Sequence, residues 1–238
     1  MLDAGTESAP VRTAVAVFVG LVLISAAFVG TAAAQPAPDC SAVSHDLTAD
    51  GDYAVTNLDE LQCMGTSTNT SLNDSFVLTQ DIDASGTSSW NGGAGFKHID
   101  DFEGSLDGQG HEITGLTINR PSQRRVGLFG QTSGTIDIQN LGLVDVNITG
   151  YFTSGTLLGL GEVNITDSYV TGNITANGAG GFVGRFNGGT IERSYSNVDV
   201  QASPGSGGGA SDAGGLVGTM NSGTIKESYA LGDSTVSD

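Results

Sequence analysis

One phrase recurs along the second half of the chain and restricts what the chain can fold into. It reads VGLFG at Val126–Gly130, GGFVG at Gly180–Gly184 and GGLVG at Gly214–Gly218, with a degenerate copy, TLLGL, at Thr156–Leu160. A second phrase follows the last three: ITDSY at Ile165–Tyr169, IERSY at Ile191–Tyr195 and IKESY at Ile225–Tyr229. The three tyrosines are 26 and then 34 residues apart, and most of the extra length is a Gly/Ser-rich insert, Ser203–Asp212. A period in this range belongs to stacked supersecondary units, each burying its apolar face only against its neighbours.

The grammar within a unit is that of short strands. Upstream of the repeats, strand signals run in succession through Phe76–Leu78, Asp81–Asp83, Phe96–Ile99, Phe102–Leu106 and Ile113–Ile118, the last with one slip in alternation at Gly115. Asn, Asp and Gly mark the turns between them, as in Asp107–Gly110. Each later unit has a small-apolar-Gly strand, a Gly-containing turn, a strand at I-x-x-S-Y, and a third strand such as Val198–Val200. Three strands per unit with no helix between them predict an all-β chain, a right-handed parallel β-helix of six or seven coils over residues 74–238. A propeller blade needs about 40 residues and four strands, which disfavours that architecture. One short helix is expected over Leu58–Met64, opened by a capping box of Thr56 and Asp59, and placed to cover the first coil's open strands.

The N-terminal segment has export features. Arg12 precedes an apolar run from Ala14 to Gly30, and Ala32-Ala33-Ala34 offers a small-residue cleavage site before Gln35. The expected organisation is therefore a signal peptide over 1–34, a lead-in and cap over 35–73, and the solenoid over 74–238. An uncleaved anchor is the rival reading, because Ala14–Ala34 has about the 20 residues needed to span a bilayer. Cys40 and Cys63 are the only cysteines, and in an exported chain they are expected to pair. No cap follows the last repeat phrase, so the natural chain is expected to continue past Asp238 or to pair its last coil with another chain.

Charge limits the partners. Acids number 26 against 8 Lys and Arg, a formal net charge of −18, with only two lysines, Lys97 and Lys226. Such a surface repels nucleic acid and anionic lipid, so neither is expected as a partner. Lysine-poor, acid-rich composition suits a protein kept soluble in concentrated salt, where repulsion is screened within a few ångströms, and a halophilic source is expected.

Several residue groups are candidates for chemistry. His111-Glu112 begins H-E-I-T-G but lacks the second histidine of a zinc-peptidase helix. Asp46, Asp50 and Asp52 hint at a calcium loop, but Thr48 takes a ligand position and Asn57 stands where the distal Glu is needed. Asp81 with Asp83, and Asp100 with Asp101, are acidic pairs, yet no two acids recur at the repeat period as a glycosidase site would require. Arg120, Arg124 and Arg125 form a cluster that is either a solvated loop or a grip on a uronate carboxylate. Tyr169, Tyr195 and Tyr229 form either a supporting stack or a ladder for sugar rings. Five N-x-[ST] sequons, at Asn69, Asn73, Asn147, Asn164 and Asn173, are candidate glycosylation sites. Each of the last three precedes an inward isoleucine, so alternation points the asparagine outward. No catalytic, cofactor or metal set is expected.

The GGLVG-type blocks with their trailing GTI-x-x-SY resemble the GLUG-motif repeats of secreted bacterial and archaeal proteins. The upstream stretch Phe76–Arg120, with its DID, W, GF and DGQGHEITGLTI in that order, looks like the lead-in of the same proteins. The resemblance covers about Tyr53 to Asp238. It departs at His98-Ile99-Asp100, where the family usually has a Pro-x-Ile-Gly phrase, and at Thr156–Leu160, which lacks the double glycine. It implies a β-helix in a surface or adhesin-like protein, or the module that precedes the catalytic domain in immunoglobulin-A1-specific metallopeptidases. The expected function is a secreted or cell-surface scaffold without catalytic activity, with glycans or other surface proteins as partners. A pectate-lyase-like enzyme and the non-catalytic module of a secreted peptidase are the alternatives.

Overall fold

The structure, a computed structural model, describes residues 36–203 and 211–237. The expected signal peptide and the middle of the Gly/Ser insert lie outside them. Among the described residues no helix is long and apolar enough to cross a membrane.

The chain forms three parallel sheets wound as a β-solenoid. Face A holds ten strands, face B eight and face C four. A turn runs from face A through face B to face C and returns one layer on. Phe129–Gln139, Gly142–Thr149 and Thr153–Gly155 make one such turn, and Leu158–Thr166, Tyr169–Ala176 and Gly178–Gly180 make the next. Four turns carry all three faces, where the repeat length led to an expectation of six or seven coils. The remaining strands extend faces A and B as partial turns. The strand Tyr53–Val55, within the lead-in, pairs with Ser75–Leu78 and so already belongs to face A.

The repeated phrases stack residue on residue. On face A, Leu106, Ile138, Ile165, Ile191 and Ile225 are successive register partners. On face B the columns are Ile82, Ile113, Leu143, Val170 and Ile118, Ile148, Ile174, Val200. All of these except Ile225 are buried. Each apolar side chain thus sits about 4.8 Å from its counterparts in the next turns. Phe76, Phe102 and Phe129 form an aromatic column in the same core, with ring centroids 6.0 and 4.7 Å apart.

The glycines of the GGxVG phrase stand where three backbones converge. A Cβ on Gly180 would lie 2.5 Å from the Gly218 nitrogen, and one on Gly184 would lie 2.5 Å from the Ser154 nitrogen. Real Cβ atoms do not approach backbone that closely, so these positions exclude any side chain.

The S-Y half of the second phrase has a separate purpose. The residue before each serine, Asp167, Arg193 or Glu227, has φ near +50° and turns the corner between faces A and B, as Asn140 does one layer earlier. The serine then closes the turn. Ser168 Oγ accepts from Leu141 N (3.2 Å) and donates to Thr166 O (2.8 Å). Ser194 Oγ accepts from Ser168 N (3.1 Å) and Ser228 Oγ from Ser194 N (3.2 Å). Each corner amide, buried away from water, is therefore satisfied by the next turn's hydroxyl. Ser194→Ala is expected to leave the Ser168 N–H unpaired and to cost about 1–3 kcal/mol, read as a lowered urea midpoint. A midpoint equal to wild type would show that the ladder contributes nothing.

The first coil is covered by a helix at Leu58–Gln62, which ends before the expected Met64. Its cap is Asn57, not Thr56: Asn57 Oδ1 accepts from Glu60 N at 3.0 Å, and Glu60 reaches back to the Thr56 N–H at 2.7 Å. Asparagine outranks threonine as a cap, and Glu60 rather than Asp59 has the reach to complete the box. Leu61 and Met64 enter the solenoid core. Gln62 is fixed against the Lys97 backbone by two bonds of 2.8 Å. Cys40 and Cys63 are joined by a disulfide, tying the lead-in to this cap. Two differences arise upstream. Ser85–Gly93 forms 3-10 turns broken at Trp90–Gly92, with Trp90 buried. The expected strand over Ile113–Ile118 divides into Glu112–Thr114 and Thr117–Asn119, because Gly115 takes φ +78° and bends the chain.

Candidate functional site

The outward faces carry most of the candidate residues. The tyrosines do form one column. Tyr169 and Tyr195 stack at 5.2 Å with planes 5° apart, and Tyr195 and Tyr229 at 5.5 Å with planes 7° apart. Tyr169 lies over Gly142, where a Cβ would come within 2.7 Å of the ring. Its hydroxyl donates to the Glu112 carboxylate. Burial, then this bond to Glu112, pushes the Tyr169 phenol up to about 12. The faces of Tyr169 and Tyr195 are thus covered by neighbouring rings or backbone, which is the geometry of a supporting stack.

Face A presents columns of acids held by neutral donors. Asp107 accepts from Gln109 N (2.8 Å), Gln139 Nε2 (2.8 Å) and Asn140 Nδ2 (3.1 Å). Partial burial raises this carboxyl, but the three bonds together outweigh it and hold it below its ordinary value. It is therefore an ionised acceptor at neutral pH, whereas a general acid needs a raised value. Asp137 accepts from Asn164 Nδ2 at 2.8 Å. Thr135 donates to Glu162 at 2.8 Å, and Gln131 and Ser133 donate to Asp101. Cations enter mainly at one corner, where Arg193 grips Asp167 with two bonds of 2.8 Å and Lys226 meets Glu192 at 2.9 Å.

The three arginines do not converge. Arg120 donates to the carbonyls of Phe96 and Gly95, Arg124 lies 5.2 Å over the Phe152 ring, and Arg125 bonds Gln131. Of the two readings of this cluster, a solvated loop or a uronate grip, the geometry has the three arginines making three separate contacts. His111 and Glu112 are not on a helix: His111 meets Asp81 at 3.0 Å and Glu112 opens a strand. Asp52 closes a tight turn with Thr48, and Asp83 caps Ser85 N. Among the described residues no group of three His, Cys, Asp or Glu side chains could hold a metal ion.

A cavity of about 360 Å³ lies between the lead-in, the cap helix and Lys97–Asp100. Met64, Leu72 and Ile99 supply its apolar wall. His98 is buried in its floor, with Nε2 3.3 Å from Asp100. Burial, against the pull of Asp100, holds His98 below the usual imidazole range. His45 is lowered likewise by burial, and as a neutral ring it is satisfied: Nε2 donates to Glu60 O (2.9 Å) and Nδ1 accepts from Ser67 Oγ (3.0 Å). Both histidines resist protonation when folded and accept it when unfolded, from about pH 6.5 downward. Stability is accordingly expected to be complete above that pH and to fall as pH drops toward the depressed folded values. Urea midpoints at pH 7.5 and 5, in constant salt, test this; equal midpoints would reject it.

The sequons separate into two groups. Asn69 is bound to the His45 backbone through both amide atoms (3.0 and 2.7 Å). Asn164 spends its amide on Asp137 and its oxygen on Thr190 N (3.0 Å). Asn73 accepts from Ser71 Oγ. Asn147 and Asn173 are exposed register partners on face B.

No family model matches the chain, so the GLUG assignment stands as a resemblance of phrases. The chain is similar to halomucin of Haloquadratum walsbyi, 43% identical over 113 residues, 47% of this chain and 1% of that protein. It is also 40% identical over 78 residues to a candidate Gly-rich membrane protein of Evansella cellulosilytica, covering 31% of this chain and 9% of that one. The chain thus spans a small fraction of the curated relatives it matches. Among solved structures, a candidate immunoglobulin A1 protease from Bacteroides ovatus superimposes with a TM-score of 0.55 and 22% identity, over 79% of this chain and 59% of that one. At that identity the likeness is one of fold. The chain is a β-helical repeat protein related in part to halomucin.

Proposed function

We propose that the chain is a secreted or cell-surface scaffold of a halophilic organism, acting through shape and surface and not through catalysis. The observation that carries this reading is the outer face of the solenoid. Its carboxylates are engaged turn after turn by amides and hydroxyls of the same stack, as at Asp107, Asp137 and Glu162. A site for turnover needs acids with separated roles and room for substrate. These acids serve instead as ladder acceptors. The disulfide supports an oxidising compartment. The similarity to halomucin supports a halophilic surface setting. Glycans and other surface proteins are the proposed partners; nucleic acid and anionic membranes are disfavoured by the charge of −18.

The ladder bonds are short-ranged and survive screening, whereas repulsion among 26 acids and 8 bases does not. The melting temperature is therefore expected to climb steeply from low to molar NaCl, and a flat response would remove the halophile reading. For the function itself, cells of the source organism are fractionated and probed with antibody, and the purified protein is incubated with polyuronates and neutral glycans. The protein is expected in the envelope or medium, with no glycan turnover. Product formation lost on replacing Asp107 or Asp137 would establish the enzyme alternative.

A further inference from the structure

Asn147 and Asn173 sit on one outward column of face B, in the order Thr117, Asn147, Asn173, Asp199. Both are exposed, and among the described residues neither side chain makes a hydrogen bond. Their sequon hydroxyls, Thr149 and Thr175, are register partners as well. The flanking residues in the column, Thr117 and Asp199, are small. Each of the two amide nitrogens thus opens onto solvent, with nothing bulky beside it.

The other sequons differ. The Asn69 amide donates to the His45 carbonyl, and the Asn164 amide bridges two turns to Asp137. A glycan on either would have to be accommodated against these contacts. Asn147 and Asn173 are meanwhile too close to be independent. Adjacent strands are about 4.8 Å apart, less than a substituted sugar ring needs beside a second one. We infer that Asn147 and Asn173 form a single N-glycan attachment point, occupied at one asparagine or the other but not both, and that Asn69 and Asn164 remain bare in the folded protein. The inference rests on export, since attachment to N-x-[ST] belongs to exported chains. It adds a position and a limit of one glycan on this face. Attachment joins the asparagine Nδ2 to the anomeric carbon of a glycan carried on a lipid phosphate; the carbon–oxygen bond to the phosphate breaks, the lipid phosphate leaves and the amide gives up one proton. Chains modified at both sites cannot close face B and do not accumulate.

The sequence makes the count direct. No Lys or Arg lies between Arg125 and Arg185, so cleavage after arginine releases residues 126–185 as one peptide bearing Asn147, Asn164 and Asn173. The full chain is secreted from a haloarchaeal host with its own N-glycosylation machinery, and this peptide and the peptide ending at Arg120, which bears Asn69, are weighed and mapped by mass spectrometry. Bare and singly modified peptide are expected, with the glycan on Asn147 or Asn173. Asn147→Gln should shift occupancy to Asn173, and the double variant Asn147→Gln/Asn173→Gln should give bare peptide only. A doubly modified peptide, a glycan on Asn164, a glycan on Asn69, or an entirely bare wild-type peptide would each overturn the inference. Failure of export shows separately, as absence of the protein from the medium and envelope; bare protein recovered from the medium rejects the glycan while leaving the surface reading intact.

Discussion

Phe102→Ala is expected to remove about 3–5 kcal/mol of stability. Phe102 is fully buried and stacked between Phe76 and Phe129, at 6.0 and 4.7 Å. Its loss opens a void in a column where the rings on either side are fixed by their own strands, so neither can move in to fill it. The loss is a large fraction of the whole stability of a typical domain, about 5–15 kcal/mol. Equilibrium urea unfolding in molar salt gives the measurement, with Tyr229→Ala as comparison. Tyr229 is 54% exposed and its removal should cost far less. A Phe102→Ala midpoint no lower than that of Tyr229→Ala would show that the aromatic column does not hold the stack.

The second large effect concerns the bridge. Cys40 and Cys63 close a loop with a sequence separation of 23, and a loop of that size is worth about 3 kcal/mol in the chain-entropy model. Cys63 caps the short helix whose Leu61 and Met64 enter the core, so the loss falls on the cover of the first coil. Reducing the wild type, or making Cys40→Ala/Cys63→Ala, is expected to lower the urea midpoint by the same amount. Reduction should have no effect on the double variant. Superimposable curves for oxidised and reduced wild type would remove the bridge from the stability of this protein.

Much of the fold was legible because its core is written in register with itself. Ile165, Ile191 and Ile225 recur in one phrase and stack in one column, and the GGxVG glycines mark the places where backbones converge. What the sequence could not display was any contact whose partner lies one turn away. Ser168 and Ser194 read as members of a phrase, and their work on the preceding turn's amides depends on the stacking offset. Asn164 alternates outward as correctly as Asn147 does, yet Asp137 on the next strand takes its amide. Arg120, Arg124 and Arg125 are neighbours in sequence and diverge in space, because the chain enters a new strand at Arg125–Val126. The misplaced helix cap has a local cause: two capping residues stood side by side at Thr56 and Asn57, and only the reach of Glu60 distinguished them.

The corner between faces A and B has a consequence for how such a chain can vary. Asn140, Asp167, Arg193 and Glu227 hold the same left-handed backbone one above another, and after the last three the turn is closed by the serine that follows. The four span neutral, acidic and basic character, so the corner geometry does not dictate the charge it carries. The edge works as a ruler: side chains are set at the interval of the strands along a rigid line, and any charge pattern can be engraved there without disturbing the core beneath.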